Sequence, residues 1–499
     1  MELGHLLVRA KLISVEDMNH ALDAQLKHGG RFGEHLVAAG AISQAALDAF
    51  INRTPAEPES IRAIGIDENE LISLMMKLIY VGRLESPRQF ADAIKLPYHL
   101  VVEMVKIASE RKMLYARGSR AGLSDMNYGL TDEGRKWAAD ALTRSQYVGP
   151  APVTLEEFCD RVNLQKITNE VVTFERVKEN LADLALDNSL IEQCGPALNS
   201  GRAMLLYGPP GNGKTTFALR LANVFTDLVY MPYAVIVEGQ IIRIYDPSLH
   251  VPITAAPVQD DKAPSFMRRE SIDARWVPCK RPFVVAGGEL TLEMLDLRYD
   301  STSNFYEAPL HMKALGGCFV IDDFGRQLVT PTVLLNRWIV PLESRVDYLK
   351  LHTGKSFSIP FDELVIFSTN LEPEDLMDPA FLRRLPYKIE IGAPTLENYK
   401  RIFAKECKGH GLTLTDEVFD RVVYRIQVEK QLDLAAFQPR FIMEQVVASC
   451  RFMGQPPTFE PRFLNYAVDN LRVKQSVAAA ESHALKSASE EKFAEPQFA

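Results

Sequence analysis

Residues 208–216 read GPPGNGKTT, a glycine-rich stretch that lies between two segments of contrasting pattern. The apolar segment AMLLYG leads into it and the helical pattern TTFALRLANVF follows it, so the local order is strand, loop and helix. The glycines let successive backbone N–H groups turn toward a phosphate, while Lys214 supplies a charge and the Thr215 hydroxyl can ligate Mg²⁺. We therefore predict a triphosphate-binding loop that consists of Gly208, Pro209, Pro210, Gly211, Asn212, Gly213, Lys214, Thr215 and Thr216.

A pair of acids ends another apolar strand, at residues 317–323 (GCFVIDD). We expect Asp322 to hold Mg²⁺ through water and Asp323 to orient or deprotonate the attacking water. Short apolar strands in AMLLYG, CFVIDDF and LVIFSTN alternate with helical segments, and this alternation is typical of a parallel α/β sheet. The sequence therefore predicts an α/β core in which the phosphate loop and the acids follow the strands.

These motifs, in this order, resemble those of the AAA+ ATPases. The segment VIFSTN at 365–370 resembles their sensor 1 strand, which implies that Asn370 positions water near the γ-phosphate. Residues 378–385 (DPAFLRRL) resemble the stretch that carries the arginine finger, which implies that Arg383 or Arg384 acts in trans. The segment FQPRFI resembles sensor 2, which implies that Arg440 lies at the start of a lid helix.

The resemblance also implies an activity, its cofactors and an assembly. ATP and Mg²⁺ would be the cofactors, and hydrolysis would depend on Lys214, Asp323, Asn370 and one of the two arginines, Arg383 and Arg384. An arginine at the developing γ-phosphate charge is worth roughly 10³–10⁵ in rate. Because a neighbouring subunit supplies that arginine, the active form would be a homo-oligomeric ring, with a hexamer favoured.

Two features depart from the AAA+ pattern. The second acid is usually Glu, whereas this chain has Asp323. The shorter side chain predicts a displaced water or slow turnover, because misplacement by about 1 Å can lower the rate roughly 10²-fold.

The second departure is the long interval between Lys214 and Asp322. It contains a predicted hairpin at 229–247 and a polar stretch at 258–262. A further hairpin is predicted from the sequence RVDYLKLHTGKSFSI. These hairpins either engage a substrate or partner or are surface features without a binding role.

Changes in pattern divide the chain into five predicted regions. The stretches TPAEPES and VGPAPV read as breaks between the first three regions, and consecutive helical patterns follow Pro394. The predicted regions are a helical tandem-repeat domain (1–58), a winged-helix-like domain (66–148), an AAA+ α/β core (154–394), a helical lid (395–475) and a disordered tail (476–499).

Residues 3–23 and 32–52 form an internal repeat, in which Ser14 aligns with Ser43. Each serine is predicted to cap the helix that follows, and the two copies are expected to pack as one module. The repeat resembles the N-terminal domain of type II secretion and type IV pilus assembly ATPases, which in some relatives binds cyclic di-GMP. Both copies depart from that motif, and the first lacks its arginine. Cyclic di-GMP binding and protein docking therefore remain alternatives.

The region at 66–148 is predicted to contain three helices, a hairpin and a closing helix capped by Thr131, an order similar to a winged helix. That similarity suggests DNA, but DNA binding needs a basic face for the phosphates. The third helix places Glu103 and Glu110 beside Lys106, and charges are close to balance throughout the region. We therefore expect a protein contact here rather than a DNA contact.

The composition excludes several classes of protein. With 499 residues and a formal net charge of -9, the chain has no global electrostatic reason to bind nucleic acid or an anionic membrane. The six cysteines are scattered without a C-x-x-C pair, which argues against a disulfide framework or a zinc site. No apolar run reaches the roughly 20 residues of a membrane span, and no signal peptide is recognised. We expect a cytoplasmic protein without membrane insertion.

Three functional hypotheses follow. The leading one is an oligomeric AAA+ ATPase that remodels a protein partner. The predicted order of domains resembles bacterial AAA ATPases with chaperone activity associated with Flp-type pilus assembly, which implies a pilus or secretion component as the partner. The second is an ATP-controlled DNA-binding regulator, and the third is an ATPase that responds to cyclic di-GMP.

Overall fold

The computed structural model describes most of the chain, namely residues 3–10, 12–118, 126–253, 272–376 and 379–471. The predicted polar stretch at 258–262 and the predicted tail at 476–499 lie outside these residues. Within the described ranges, no helix is both long and apolar enough to cross a membrane.

The described chain forms two compact units. The first unit consists of the chain up to Asn180, Asn188–Tyr207 and Thr215–Ile389. The second unit consists of Leu181–Asp187, Gly208–Lys214 and the chain from Glu390 onward. Each unit has its own buried core, and each is described separately below.

The first unit begins with four helices that share one buried cluster. Ser14 and Ser43 each accept a hydrogen bond from the backbone N–H three residues later, at 3.0 and 3.2 Å, which confirms both predicted helix caps. Side chains from both copies of the repeat contribute to the cluster. The four helices are α1 (Leu3–Arg9), α2 (Val15–His28), α3 (Phe32–Ala38) and α4 (Gln44–Arg53).

Two glycines at aligned positions of the repeat make equivalent close contacts. A Cβ atom on Gly4 would lie 3.1 Å from Cγ of Met18, and a Cβ atom on Gly33 would lie 2.8 Å from Cδ2 of Leu47, which aligns with Met18 in the repeat. Each contact joins one helix of a copy to a buried side chain. A larger residue at either position would require these buried side chains to shift.

Three helices, a hairpin and a closing helix follow, in the predicted order of elements. Thr131 caps the closing helix, because its Oγ1 accepts a hydrogen bond from the N–H of Gly134 at 3.0 Å. Gly134 itself packs so closely that a Cβ atom there would overlap the carbonyl of Met113. These elements are α5 (Glu68–Gly82), α6 (Pro87–Ile94), α7 (Tyr98–Glu110), β1 (Leu114–Gly118), β2 (Asn127–Leu130) and α8 (Asp132–Arg144).

Beyond these elements the chain alternates between strands and helices and then becomes helical. The strands are β3 (Val153–Thr154), β4 (Met204–Tyr207), β5 (Leu228–Pro232), β6 (Ala234–Val237), β7 (Gln240–Arg243), β8 (Trp276–Lys280), β9 (Phe283–Ala286), β10 (Arg298–Asp300), β11 (Phe305–Glu307), β12 (Cys318–Ile321), β13 (Val346–Lys350), β14 (Ser356–Pro360), β15 (Leu364–Ser368) and β16 (Tyr387–Glu390). The helices are α9 (Leu155–Leu164), α10 (Phe174–Leu181), α11 (Asn188–Ser200), α12 (Lys214–Ala222), α13 (Leu310–Lys313), α14 (Pro331–Ser344), α15 (Pro373–Leu376), α16 (Pro379–Leu382), α17 (Leu396–Gly409), α18 (Asp416–Tyr424), α19 (Gln438–Phe452) and α20 (Pro461–Asp469).

A central sheet has the strand order β16-β4-β15-β12-β9. β12 pairs in parallel with both of its neighbours, and β15 pairs in parallel with β4. Every residue of β12 and β15 is buried, which agrees with their continuous apolar sequences. Because the carboxyl ends of parallel strands meet at one edge of a sheet, the residues after β12 and β15 lie near each other at that edge.

The interval before Asp322 adds a second five-stranded sheet with the order β10-β11-β7-β6-β3. β6 and β7 form the first predicted hairpin, which turns at Glu238 and Gly239 with φ angles of 50° and 75°. β13 and β14 form the second predicted hairpin. The predicted hairpin at 229–247 is wrong for its first residues, because β5 does not belong to the hairpin and pairs with β8. That partner strand is too distant along the chain for a local pattern to identify.

The second unit is built around the helices α17–α20, which share one buried cluster. Its largest side chains include Tyr399, Phe403 and Phe419, each at most 4% exposed. Thr395 caps α17, because its Oγ1 accepts a hydrogen bond from the N–H of Asn398 at 3.3 Å. The consecutive helices predicted after Pro394 are therefore present.

Glu363 is a fully buried acid in the first unit, immediately before β15. Neither of its carboxylate oxygens has a hydrogen-bond partner within the described part of the chain. Burial raises the pKa of Glu363 well above its usual value; Arg345 opposes the rise, while Asp362 and Asp347 add to it. The folded protein therefore binds this proton more tightly than the unfolded chain does.

We expect Glu363→Gln to raise the free energy of unfolding at neutral pH, because the neutral amide avoids the cost that burial places on an ionisable carboxyl. With a raised pKa, the folded state binds more protons than the unfolded state, so wild-type stability falls as the pH rises above the unfolded value of 4.5. Urea denaturation across this pH range should show that the free energy of unfolding falls in the wild type and in Glu374→Gln, a control at an exposed glutamate. The free energy of unfolding of Glu363→Gln should fall less. A less stable Glu363→Gln protein at neutral pH would contradict the prediction.

Candidate functional site

In the predicted phosphate loop, of which Gly208–Lys214 belongs to the second unit, three glycines have positive φ angles. Gly208, Gly211 and Gly213 have φ angles of 128°, 82° and 83°, in the region that favours glycine. A Cβ atom on Gly208 would lie 2.7 Å from the carbonyl oxygen of Ile391, and one on Gly211 would overlap the ring of Phe437. The loop can therefore keep this path only with glycine at these positions. Of its other residues, Pro209, Pro210 and Thr216 are exposed.

Lys214 lies against its own loop. Its Nζ donates hydrogen bonds to the carbonyl oxygens of Gly208 and Pro209 at 2.8 and 2.9 Å, and the residue is only 6% exposed. The cation is thus held beside the backbone that the motif supplies for phosphate. The arrangement fits the predicted role of Lys214 as a positive charge for an anionic ligand.

The loop is also joined to the start of α19 within the second unit. The N–H of Phe437 donates to the carbonyl oxygen of Gly211 at 2.9 Å, and the N–H of Ala436 donates to Oδ1 of Asn212 at 3.1 Å. Arg440 lies one turn further along α19 and is exposed. Its Nε donates to Oε1 of Glu444 at 2.9 Å, and this hydrogen bond raises the pKa of Arg440.

Sequence reasoning did not find the contact between Gly211 and Phe437. The residues are far apart in the sequence, and no local pattern links a loop glycine to the residue before a helix. The one available signal was the motif FQPRFI, which drew attention to Arg440 while Phe437 makes the contact.

In the first unit, the Thr215 hydroxyl donates to the Asp322 carboxylate. Thr215 Oγ1 lies 3.0 Å from Oδ1 and 2.8 Å from Oδ2 of Asp322. The N–H of Asp322 donates to the carbonyl oxygen of Ala286 at 2.9 Å, which continues the ladder between β12 and β9. A hydroxyl and a carboxylate are oxygen ligands of the kind that Mg²⁺ prefers. The two residues predicted to serve the metal are therefore together and fit it.

Asp323 and Asn370 also meet at the edge of the central sheet. Nδ2 of Asn370 donates to Oδ1 of Asp323 at 3.1 Å. Asp323 has a φ of 49°, a left-handed conformation that Asp tolerates better than most residues. The carboxylate is exposed and the amide is half-buried. The predicted pair for positioning water is thus within hydrogen-bonding distance.

Gln327 supports this loop, and the sequence analysis missed it. Its Nε2 donates to the carbonyl oxygens of Asp322 and Asp323 at 2.9 and 3.2 Å, and its Oε1 accepts from the N–H of Gly325 at 2.8 Å. The loop after β12 is also joined to β15, because the N–H of Phe324 donates to the carbonyl oxygen of Ser368 at 2.7 Å. These bonds hold the backbone that orients both acids.

The two neighbouring arginines differ in their surroundings. Nε of Arg384 donates to Oε1 of Glu343 on α14 at 2.5 Å, and the arginine side chain is 27% exposed. Arg383 is exposed. The sequence alone could not separate the two residues, whereas the structure shows that Arg384 forms an ion pair with α14 of the same chain.

The parallel central sheet, the glycine loop that follows one of its strands and the acids that follow another define an α/β fold of the P-loop class. A family model described as a domain of unknown function (DUF8689) matches residues 395–470. The chain is 34% identical over 100 residues to the type IV pilus assembly ATPase PilB of Myxococcus xanthus (strain DK1622), which is 20% of this chain and 15% of that protein. It therefore spans only 15% of the length of that curated relative.

Solved structures with overall similarity belong to several other proteins. NtrX from Brucella abortus in complex with ADP has a TM-score of 0.36 at 13% identity and covers 72% of each chain. The FIGL-1 AAA domain has a TM-score of 0.33 at 15% identity, with 66% of this chain and 93% of that chain covered. A mutant of Thermotoga maritima RuvB has a TM-score of 0.31 at 13% identity, with 61% and 73% covered.

Proposed function

We propose that this chain is a Mg²⁺-dependent ATPase of the AAA+ class. The observation that carries the proposal is the contact between Thr215, the penultimate residue of GPPGNGKTT, and Asp322 at the end of β12. A P-loop hydroxyl beside an acid that follows a central strand is the arrangement that holds Mg²⁺ in P-loop NTPases. The positive-φ glycines and Lys214 supply the donors and the charge that a triphosphate needs.

Each residue of the phosphate loop has a distinct role in this proposal. The N–H groups between Gly208 and Thr215 would cradle the phosphates, and Lys214 would neutralise charge at the β- and γ-phosphates. Mg²⁺ held at Thr215 and Asp322 would supply positive charge that offsets the negative charge developing on the phosphates. The Thr215 hydroxyl would ligate the ion, and Asp322 would hold it through water. Arg440, at the start of α19, would contact the nucleotide.

Asp323 would orient or deprotonate the attacking water, with Asn370 as its positioning partner. The hydrogen bond from Asn370 fixes one carboxylate oxygen of Asp323 and leaves the exposed carboxylate able to accept a further bond from water. Gln327 supports the backbone of the same loop. In this proposal, the fixed orientation of the carboxylate would offset the shorter length of Asp323 relative to Glu.

We expect two substitutions of Asp323 to separate binding from hydrolysis. Asp323→Asn should keep ATP affinity within about twofold and lower turnover by roughly 10²-fold or more, because the amide cannot accept the proton of water. Asp323→Glu should also lower turnover, by up to roughly 10²-fold, because one extra methylene displaces the carboxylate from Asn370. Steady-state ATPase assays and nucleotide-binding titrations would measure both effects. Faster turnover by Asp323→Glu would show instead that the native Asp slows the enzyme.

The arginine finger is proposed to be Arg383. Arg384 is paired with Glu343 of its own subunit, whereas Arg383 is exposed and can reach a neighbouring molecule. A finger that acts in trans requires a homo-oligomer, for which we propose a ring, with a hexamer as the expected size. Activity would then depend on protein concentration through assembly.

The proposed biological role is ATP-driven remodelling of a protein partner in pilus or secretion assembly. The partial match to the pilus assembly ATPase PilB and the degenerate N-terminal repeat support that context. The winged-helix-like region and the repeat would serve as protein-docking modules, since the charges of the former are nearly balanced. ATP hydrolysis would move the helical lid at 395–475 and so change how the partner is held.

The function is tested by ATP turnover of the purified full chain with and without Mg²⁺, and by partner capture. Mg²⁺-dependent turnover that EDTA abolishes is expected, and absence of ATP binding would overturn the proposal. Asp323→Asn in ATP should retain pilus or secretion proteins that Lys214→Ala does not retain. Equal retention by both variants would contradict nucleotide-controlled remodelling.

A further inference from the structure

A cavity of about 380 Å³ lies in the first unit, among α5, the end of α8 and the hairpin of β6 and β7. Leu71 and Leu74 of α5 form an apolar part of its wall, together with Ile236 and Ile241 of the hairpin. The volume falls in the lower part of the range that small-molecule sites occupy. None of these residues belongs to the proposed ATPase machinery.

The main polar feature of this cavity is Lys77, on α5. The residue is 4% exposed, and its Nζ donates to the carbonyl oxygen of Ser145 at 3.0 Å. Within the described residues, no carboxylate forms an ion pair with it. Burial lowers the pKa of Lys77 to about 8; Glu70 opposes that change and Arg144 adds to it. At neutral pH the cavity therefore contains a buried cation with no direct ion pair, since Glu70 of the wall lies within 3.9 Å of Arg144 instead, and burying such a cation costs stability.

A purely structural role explains only part of this arrangement. Ser145 is the C-cap residue of α8, so the bond from Lys77 joins α5 to the end of α8. That bond needs a donor but no charge, and a neutral side chain could make it. A buried charge in a cavity is better explained by a ligand that compensates it.

Two further groups in the wall suit the same ligand. Ser73 is 4% exposed, and its Oγ accepts a hydrogen bond from Nε1 of Trp137 at 3.0 Å, so its own O–H can donate. Arg144 adds a second positive charge on the wall, 3.9 Å from Glu70. Two cations, a hydroxyl donor and an apolar wall match an anion that carries an apolar body.

We propose that this cavity binds a small organic anion, with a carboxylate or phosphate head and a short aliphatic body. Lys77 and Ser73 would donate to the head, and the leucines and isoleucines would contact the body. Carboxylate and phosphate share the chemistry that these donors recognise. The site is independent of the phosphate loop and is separate from the proposed ATPase function.

The test uses the full chain, with hexanoate and hexyl phosphate as anionic probes and hexanamide as the neutral control. Saturable, concentration-dependent rises in Tm are expected with one or both anions at millimolar concentration, and none with hexanamide. The anion that raises Tm at the lower concentration identifies the preferred head group. No saturable response to either anion, or an equal response to hexanamide, would overturn the proposal.

Two variants check that the response comes from Lys77. Lys77→Gln keeps a donor for the Ser145 carbonyl but removes the charge, and it should weaken the anion response by about tenfold or more. Glu70→Gln removes a negative charge from the wall and should strengthen the response by about two- to fivefold. A wild-type response in Lys77→Gln, or a weaker response in Glu70→Gln, would contradict the assignment.

Proton uptake gives a readout that a structural role of Lys77 would not produce. An anion favours the charged amine, so binding should raise the pKa of Lys77 from about 8. Calorimetry in buffers of different ionisation enthalpy should therefore detect proton uptake on binding above this pH and none well below it. Binding without proton uptake at the higher pH would show that the anion does not contact Lys77.

Discussion

Lys214→Ala is expected to abolish measurable ATP turnover and to weaken ATP binding. The amine lies against the loop carbonyls of Gly208 and Pro209, and it is the buried cation of that loop. Its removal takes away charge-assisted hydrogen bonds to phosphate, so binding should fall by roughly tenfold or more and turnover by at least about 10²-fold. Nucleotide titration and a coupled ATPase assay measure the two effects separately.

A lysine elsewhere in the chain provides the control for this prediction. Lys136 is exposed on α8, so Lys136→Ala should keep wild-type turnover and affinity. Thermal unfolding of both variants without nucleotide would confirm that each is folded. Unchanged turnover in a folded Lys214→Ala protein would refute the assignment of the phosphate loop.

Arg383→Ala is expected to reduce turnover by roughly 10³-fold or more without a comparable loss of ATP affinity, because the finger acts on charge that develops during the reaction. Arg384→Ala is the matched control. Its pair with Glu343 lies within one subunit, so its loss should cost about 1 kcal/mol or less of stability and little turnover. Assays at equal, high protein concentration would exclude a simple effect on assembly.

The opposite ranking of these arginine variants would contradict the choice between them. If Arg384→Ala were inactive and Arg383→Ala active, the pair with Glu343 would have to break when subunits assemble. If both variants kept full turnover, neither arginine would act as a finger, and a ring would no longer be needed for catalysis.

The central part of the site follows from the sequence because its signals are local. The nine consecutive residues GPPGNGKTT contain the glycines that shape the loop, the cation Lys214 and the hydroxyl of Thr215 that is proposed to bind the metal. Asp322, Asp323 and Asn370 follow apolar strands, and parallel pairing brings strand ends together at one edge. Short motifs next to recognisable strands therefore predict which residues meet.

Other contacts depend on long-range packing that no local pattern encodes. Phe437 meets Gly211 although the two residues are distant in sequence, and Gln327 supports the acids from an irregular loop. The pairing of β5 with β8 likewise joins segments separated by a long interval. Lys77 lies within an ordinary helical pattern, so only the folded chain places its charge in a cavity.

A subunit-mixing assay tests the central claim, hydrolysis of ATP at a site completed by a neighbouring subunit. Arg383→Ala and Asp323→Asn subunits should each be nearly inactive alone. In a mixed oligomer, a site with intact Asp323 can receive Arg383 from its neighbour. Mixing is therefore expected to restore a substantial fraction of wild-type turnover, and mixtures no more active than the separate variants would refute a site shared between subunits.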